Sequence, residues 1–272
     1  MPINVLVVTK GHPFDYNGFF AMFDENAELN ATAVEQPAAE ILLRPEFVAD
    51  YDAVFFYDMC GTAPDEHGEF PQPPAHYAEA VEALLERGVG LVLSNHATVQ
   101  WPGWALWREI SGTSFMLENG ELYGETVPGS GYRGGGGEPE RNVTHRLTPV
   151  DPQHPVASGL EAGFEIVDEL YIKTAGFERN PDIVPLFRSD YDFSQANFNP
   201  PPYAPPEEQA AWQHPQGSNL ITWAKRTRNS PVVATEAGDG PLAYANPDFR
   251  RFLENALKWV ASDEAKSWAG NG

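Results

Sequence analysis

Apolar residues come in short unbroken blocks through the first third of the chain, and each block gives way to polar residues. Ile3 to Thr9, Tyr51 to Tyr57 and Leu91 to Ser94 are such blocks, with Thr32 to Glu35 a weaker one. Continuous hydrophobicity over this length fits a strand covered on both faces. Between the blocks the spacing changes. Ala75 to Arg87 puts Tyr77, Ala80, Val81 and Leu84 on one helical stripe, and helices are also predicted over Tyr16 to Glu25 and Ala38 to Leu43. Strands alternating with helices predict an α/β fold: a doubly wound, mostly parallel sheet flanked by helices.

The middle of the chain has another character. Gly129 to Gly137 holds six glycines, and Pro200 to Pro206 holds five prolines. Both read as loops, with strands over Asn142 to Pro149 and Phe164 to Ile166 between them. Long loops in a compact domain are more often lids than accidents, with plain flexibility the rival. Order returns with strands over Asn219 to Trp223 and Pro231 to Thr235, then a turn at Gly238-Asp239-Gly240. Asn246-Pro247 carries the signals of a helix start, and the helix from Asp248 to Ala261 presents Phe249, Phe252, Leu253, Ala256, Leu257 and Val260 to the sheet. One domain over residues 1–272 is expected, with inserted loop regions at about 115–140 and 190–217.

Charge narrows the partners. The net charge of −22 argues against nucleic acid, which needs a basic footprint, and against an anionic membrane surface. The single cysteine, Cys60, excludes an internal disulfide framework and fits a reducing cytoplasm. The chain enters a strand at Ile3 without a basic region or an apolar signal core, and no run is long enough to span a bilayer. A soluble cytoplasmic protein is expected.

Ligands of open α/β sheets sit outside the carboxyl ends of the strands. His12 and Asp15 follow the first predicted strand, Asp58 the third, His96 the fourth and Asp239 the last, so all five can reach one crevice. His96 stands where chemistry is usually done, with Trp101 and Trp104 as an expected apolar wall. The plain alternative for His12, Asp58 or His96 is a turn cap. His145 and His154 read as structural, one within a strand and one in a His-Pro turn. Lys225, Arg226 and Arg228 form the one compact basic cluster, read as a face offset by neighbouring acids.

Several stretches, in this order, resemble the ThuA-like (trehalose utilisation) family on a class I glutamine amidotransferase-like fold. They are Val5 to His12, Tyr57-Asp58-Met59, His96-Ala97 with the tryptophans after it, and His154-Pro155-Val156-Ala157-Ser158-Gly159-Leu160. Asp168-Glu169-Leu170-Tyr171, then Gly238-Asp239-Gly240 with Tyr244, Asn246-Pro247 and Trp259, complete the series. Many members carry Gly-His where this chain has Gly238-Asp239. In amidotransferases the nucleophilic cysteine stands on the sharp turn after a central strand, and here that turn reads Ser94-Asn95-His96-Ala97-Thr98. A histidine therefore takes the place of the thiol, and amidotransferase chemistry is excluded. Cys60 has no histidine beside it in sequence and reads as a small buried hydrophobe.

The resemblance implies a sugar or keto-sugar substrate, and Glu169 and Tyr171 of the Asp-Glu-Leu-Tyr motif folded back over the crevice. Aromatic platforms suit a neutral sugar, and Trp101, Trp104, Tyr132, Tyr171, Phe198, Tyr203, Trp212 and Trp223 are expected near the rim. A ketone acidifies its neighbouring C–H, so one base and one acid suffice for isomerisation, elimination or hydration. The expected groups are His96 for proton transfer, Asp58 or Glu169 as its carboxylate partner, and His12 as second base. Trp101, Trp104, Tyr132, Tyr171, Asp15 and Asp239 are expected to bind substrate. No cofactor is needed. A divalent metal on His12 and His96 is the alternative, without a His-x-x-x-His spacing to support it. A non-catalytic sugar-binding module and a metal- or Cys60-dependent hydrolase are the competing functions, and a homodimer is the analogy of the fold.

Overall fold

Strand β1 (Ile3–Lys10) sends Val5 and Val7 to one face and Leu6 and Val8 to the other, and all four are fully buried. Burial on both faces is the condition that an unbroken apolar block meets. The same holds for the blocks Ala53–Asp58 and Gly90–Ser94, every residue of which is buried. The computed structural model describes residues 1–112, 115–134, 141–201 and 204–270.

The remaining strands, in chain order, are β2 (Leu29–Glu35), β3 (Ala53–Asp58), β4 (Gly90–Ser94), β5 (Gly120–Leu122), β6 (Glu125–Val127) and β7 (Gly131–Arg133). They are followed by β8 (Val143–Pro149), β9 (Phe164–Asp168), β10 (Leu170–Ile172), β11 (Ile183–Ser189), β12 (Leu220–Thr227) and β13 (Ser230–Thr235). The helices are α1 (Tyr16–Asp24), α2 (Ala39–Leu42), α3 (Pro45–Val48), α4 (Ala75–Arg87) and α5 (Ala105–Ser111). After them come α6 (Pro206–Ala211), α7 (Pro241–Tyr244), α8 (Pro247–Ala261) and α9 (Asp263–Gly270).

Nine of these strands form one sheet in the order β2-β1-β3-β4-β13-β12-β11-β8-β9. Pairing is parallel from β2 through β13 and antiparallel beyond it. The doubly wound half is thus the parallel sheet expected, lengthened by an antiparallel extension. One core lies between the sheet and α1 and α8, the other between the sheet and α4 and α5. Helix α8 starts where its signals place it: the Asn246 side chain accepts from the N–H of Asp248 (2.9 Å) and of Phe249 (3.2 Å), with Pro247 in the first turn. All six residues of its expected face are buried. Among the described residues no helix is long and apolar enough to cross a membrane.

The segment after β4 is irregular. Asn95–Thr98 is one turn of 3₁₀ helix, and α5 begins only at Ala105. Trp101 takes a left-handed backbone (φ 47°) just before Pro102, a position from which a helix is disfavoured. The glycine-rich stretch is also more ordered than a loop, because Gly131–Arg133 pairs with Leu170–Ile172. Residues 135–137 of that tract, together with Tyr203 and Pro202 of the proline tract, lie outside the described residues.

Candidate active site

Strands β1, β3, β4 and β13 end on one edge, since Lys10 is in register with Asp58 and Ser94 with Thr235. The chain leaves β1 for β2 on one side and returns to β3 on the other, which opens a crevice at that switch point. A cavity of about 560 Å³ occupies this edge, lined by His12, Phe14, Asp15, His96, Asp239 and Pro241 among others. Four of the five expected strand-end residues therefore share one hollow.

The turn after β4 decides how they are arranged. Asn95, not His96, is the residue with the left-handed backbone (φ 49°). Asparagine tolerates that region better than other side chains with a Cβ. It occupies the sharp strand-to-turn position that carries the nucleophile in elbow-type enzymes, so the seat expected for His96 belongs to Asn95. Its amide donates to Glu169 Oε1 (3.1 Å) and to the carbonyl of Glu236 (2.9 Å). His96, one residue on, turns into the cavity. Its Nε2 lies 3.6 Å from Glu169 Oε1 and 3.7 Å from Asp239 Oδ1, and its ring centre lies 4.1 Å from that of His12.

Glu169 arrives from the junction of β9 and β10 and is buried beside His96, outside the lining of the cavity. The Tyr171 hydroxyl also donates to Glu169 Oε1. With Oε1 receiving two donors, the proton of a neutral Glu169 belongs on Oε2. Asp239 is fixed through its backbone, its carbonyl lying 3.0 Å from the Tyr244 hydroxyl and 3.3 Å from that of Tyr57.

Burial sets the protonation states. It holds the His96 imidazole well below its usual range, and the neighbouring His12 adds to this. His12 is lowered too, by burial, against weaker opposing contacts with the carbonyls of Pro13 and Tyr57. Burial, then the nearby charge of Asp239, holds Glu169 well above the carboxylate range, and burial raises Asp239 to about 6. The result near neutral pH is two neutral imidazoles beside a Glu169 carboxyl that keeps its proton and an Asp239 that ionises above about 6.

Other expected members are not in this cluster. Asp58 follows the alternation of β3 to the opposite face from Tyr57, where it is fully buried and accepts from Gln36 Nε2 (3.1 Å) and Gln100 Nε2 (2.8 Å). It is no partner of His96. Trp101 and Trp104 pack on Tyr77 in the core beneath α4, each at 6.1 Å between ring centres, and form no wall of the cavity. The extended segment before α5 carries them there. Tyr132 pairs across to Tyr171 in the short β7–β10 ladder and does not line the cavity. Tyr171 is buried and serves Glu169 rather than facing open space. Phe198 and Trp223 are core, and Trp212 donates to the carbonyl of Gly129. Cys60 lies outside this lining, and burial with the charges of Asp58 and Glu40 pushes its thiol up to about 12.

The residues read as structural are so. His145 is buried against Ser189 Oγ (2.9 Å), and His154 accepts from the N–H of Val156 (3.2 Å). Arg226 pairs with Asp182, and Arg228 with Glu82 and Glu86, whereas Lys225 is buried. Asn95, Asp168, Tyr57 and Tyr244 are the members that sequence reasoning missed. An asparagine directly after a central strand was the one usable signal.

The ThuA family profile, described as trehalose utilisation, matches residues 4–260. No curated protein matches the sequence. Among solved structures, a ThuA-like protein from Bacteroides uniformis superposes with a TM-score of 0.65 at 16% identity, covering 96% of this chain and 93% of that one. A ThuA-like protein from Parabacteroides merdae gives 0.63 at 16% identity, covering 96% and 91%. A cytoplasmic protein from Salmonella typhimurium gives 0.52 at 11% identity, covering 94% and 98%. At these identities the likeness is one of fold.

Proposed function

Because this chain belongs to the ThuA family, we propose that it is an enzyme of carbohydrate breakdown that moves a proton beside the carbonyl of an oxidised sugar. Family membership supports the carbohydrate role. The chemistry rests on one observation: His96 Nε2 lies within 3.7 Å of both Glu169 and Asp239, on the wall of an open cavity. A neutral imidazole can take a proton, and a carboxylic acid held neutral by burial can give one. The C–H bond next to the ketone breaks, its proton goes to His96, and its electron pair forms the enediol double bond. The carbonyl oxygen takes the proton of Glu169. Asp239 then faces the imidazolium, and His12 backs it as a second neutral imidazole.

The test follows the proton. An oxidised (3-keto) disaccharide in deuterated buffer is expected to lose the NMR signal of the hydrogen beside its carbonyl at least about a hundredfold faster with protein than without it. His96→Ala and Glu169→Gln should remove the acceleration. Equal traces with and without protein would leave the sugar-binding module as the better reading.

A second reading has its own observation. Ligand atoms of His96, Glu169 and Asp239 lie within 4.8 Å of one another, within the reach of one divalent cation. Such an ion would supply a Lewis acid for a metal-assisted hydrolase. Turnover lost on chelation and restored by added metal would select it.

A further inference from the structure

We propose that Asp168 is a positioning residue: its single carboxylate fixes the backbones of both acids that face His96, and so sets the spacing of the cluster. Asp168 ends β9 and is fully buried. Its Oδ1 accepts from the N–H of Glu169 (3.0 Å) and from the N–H of Asp239 (3.1 Å), while Oδ2 accepts from the N–H of Gly238 (2.6 Å). Glu169 comes from the antiparallel extension and Asp239 from the loop after β13. Nothing in sequence ties these segments together, and one carboxylate joins them.

The grip is two-sided. The N–H of Asp239 is held by Asp168, and its carbonyl lies beside the hydroxyls of Tyr57 and Tyr244. The N–H of Glu169 is held by Asp168, and its carboxyl by Asn95 and Tyr171. The backbone of each acid is thus held, and for Glu169 the carboxyl as well. Gly238 makes the approach feasible. It sits at φ 107°, and a Cβ there would come within 2.8 Å of Phe249 Cζ and of Ser94 Oγ. A buried carboxylate is unfavourable unless its lone pairs are engaged; three backbone N–H groups occupy three of its roughly four acceptor sites, and burial still raises Asp168 to about 7.

The inference rests on the proton-transfer reading for its kinetic consequence, but not for its structural one. In Asp168→Asn an amide N–H must face one of three N–H groups, so the segment at 238–239 is expected to loosen. Amide hydrogen exchange at Gly238 and Asp239 should quicken at least about tenfold, with the amides of β3 and β4 unchanged. On an oxidised disaccharide kcat should fall roughly a hundredfold with KM nearly constant, because a misplacement of about 1 Å has that size of effect. Asn246→Ala, which uncaps α8, is the control for lost stability alone and should alter neither the site amides nor kcat. Should Asp168→Asn not fold, Gly238→Ala makes a parallel test, since a Cβ at φ 107° meets Phe249 and Ser94 and strains the residue whose N–H donates to Asp168 Oδ2. Wild-type exchange and wild-type kcat in either variant would overturn the proposal. A wild-type protein inert on the sugar would end the proton-transfer reading, while amide exchange would still decide the role of Asp168.

Discussion

His96 and Asp239 follow adjacent parallel strands, and they meet with Nε2 and Oδ1 3.7 Å apart because Ser94 and Thr235 are in register. The register brings the two strand ends together, and the short turn after β4 and loop after β13 carry His96 and Asp239 the rest of the way. Replacing Asp239 by Asn keeps the shape and removes the charge that would stabilise an imidazolium. Turnover of an oxidised disaccharide is expected to fall by about a hundredfold to ten-thousandfold, the range of a lost acid–base group. Circular dichroism should be unchanged. Near-normal turnover would remove Asp239 from the mechanism.

Asn95 separates two contributions that a single substitution would blur. Asn95→Gly keeps the left-handed backbone at little cost and deletes the amide that Glu169 and the Glu236 carbonyl share. Asn95→Ala deletes the same amide but keeps a Cβ where φ is 49°, without the polar side chain that lets asparagine tolerate that region. The alanine variant should be less stable than the glycine variant by about 1–2 kcal/mol in urea unfolding. Equal stabilities would contradict the strained turn.

Asp58 gives a pH signature away from the cavity. Burial raises its folded value to about 6 from 3.8, so the folded state binds this proton more tightly than the unfolded chain. The stabilisation is complete below the unfolded value and is lost as pH rises through about 6, a swing of roughly 3 kcal/mol. Asp58→Asn should lack this component. Urea midpoints for the two proteins, taken from about pH 4 to 7.5, should diverge along that window. Parallel curves would place the Asp58 proton elsewhere.

Lys173 and Glu236 form an ion pair of 2.6 Å with both side chains fully buried, and the ammonium lies within 6 Å of the rings of Phe177, Phe193 and Trp223. Lys173→Met strands a carboxyl in that setting and should lower stability by about 3–5 kcal/mol. Adding Glu236→Leu should recover much of the loss, since the pair has no net advantage over apolar packing. A double variant that falls by the sum of the singles would show the two groups acting independently.

The parallel half of the fold was legible because its strands are buried on both faces and so read as unbroken blocks. Helix α8 was legible because Asn246 and Pro247 announce its start. The cavity was legible as an edge: His12, Asp15, His96 and Asp239 all follow strands that end together. What the sequence hid was parity and backbone conformation. Asp58 was lost to the opposite face by a one-residue alternation on β3. Trp101 and Trp104 were misread because a left-handed residue before Pro102 sends the chain under α4. Asp168 was invisible as a hub, because three backbone N–H groups from two distant segments leave no pattern in the residues that donate them.

The asparagine at the elbow has a pharmacological corollary. An electrophilic warhead aimed at that corner would meet an amide already engaged with its neighbours, and the chain's lone thiol lies outside the hollow and resists ionisation. A thiol-directed reagent therefore has no target in this cavity, where the nucleophiles on offer are the two uncharged imidazoles of His12 and His96.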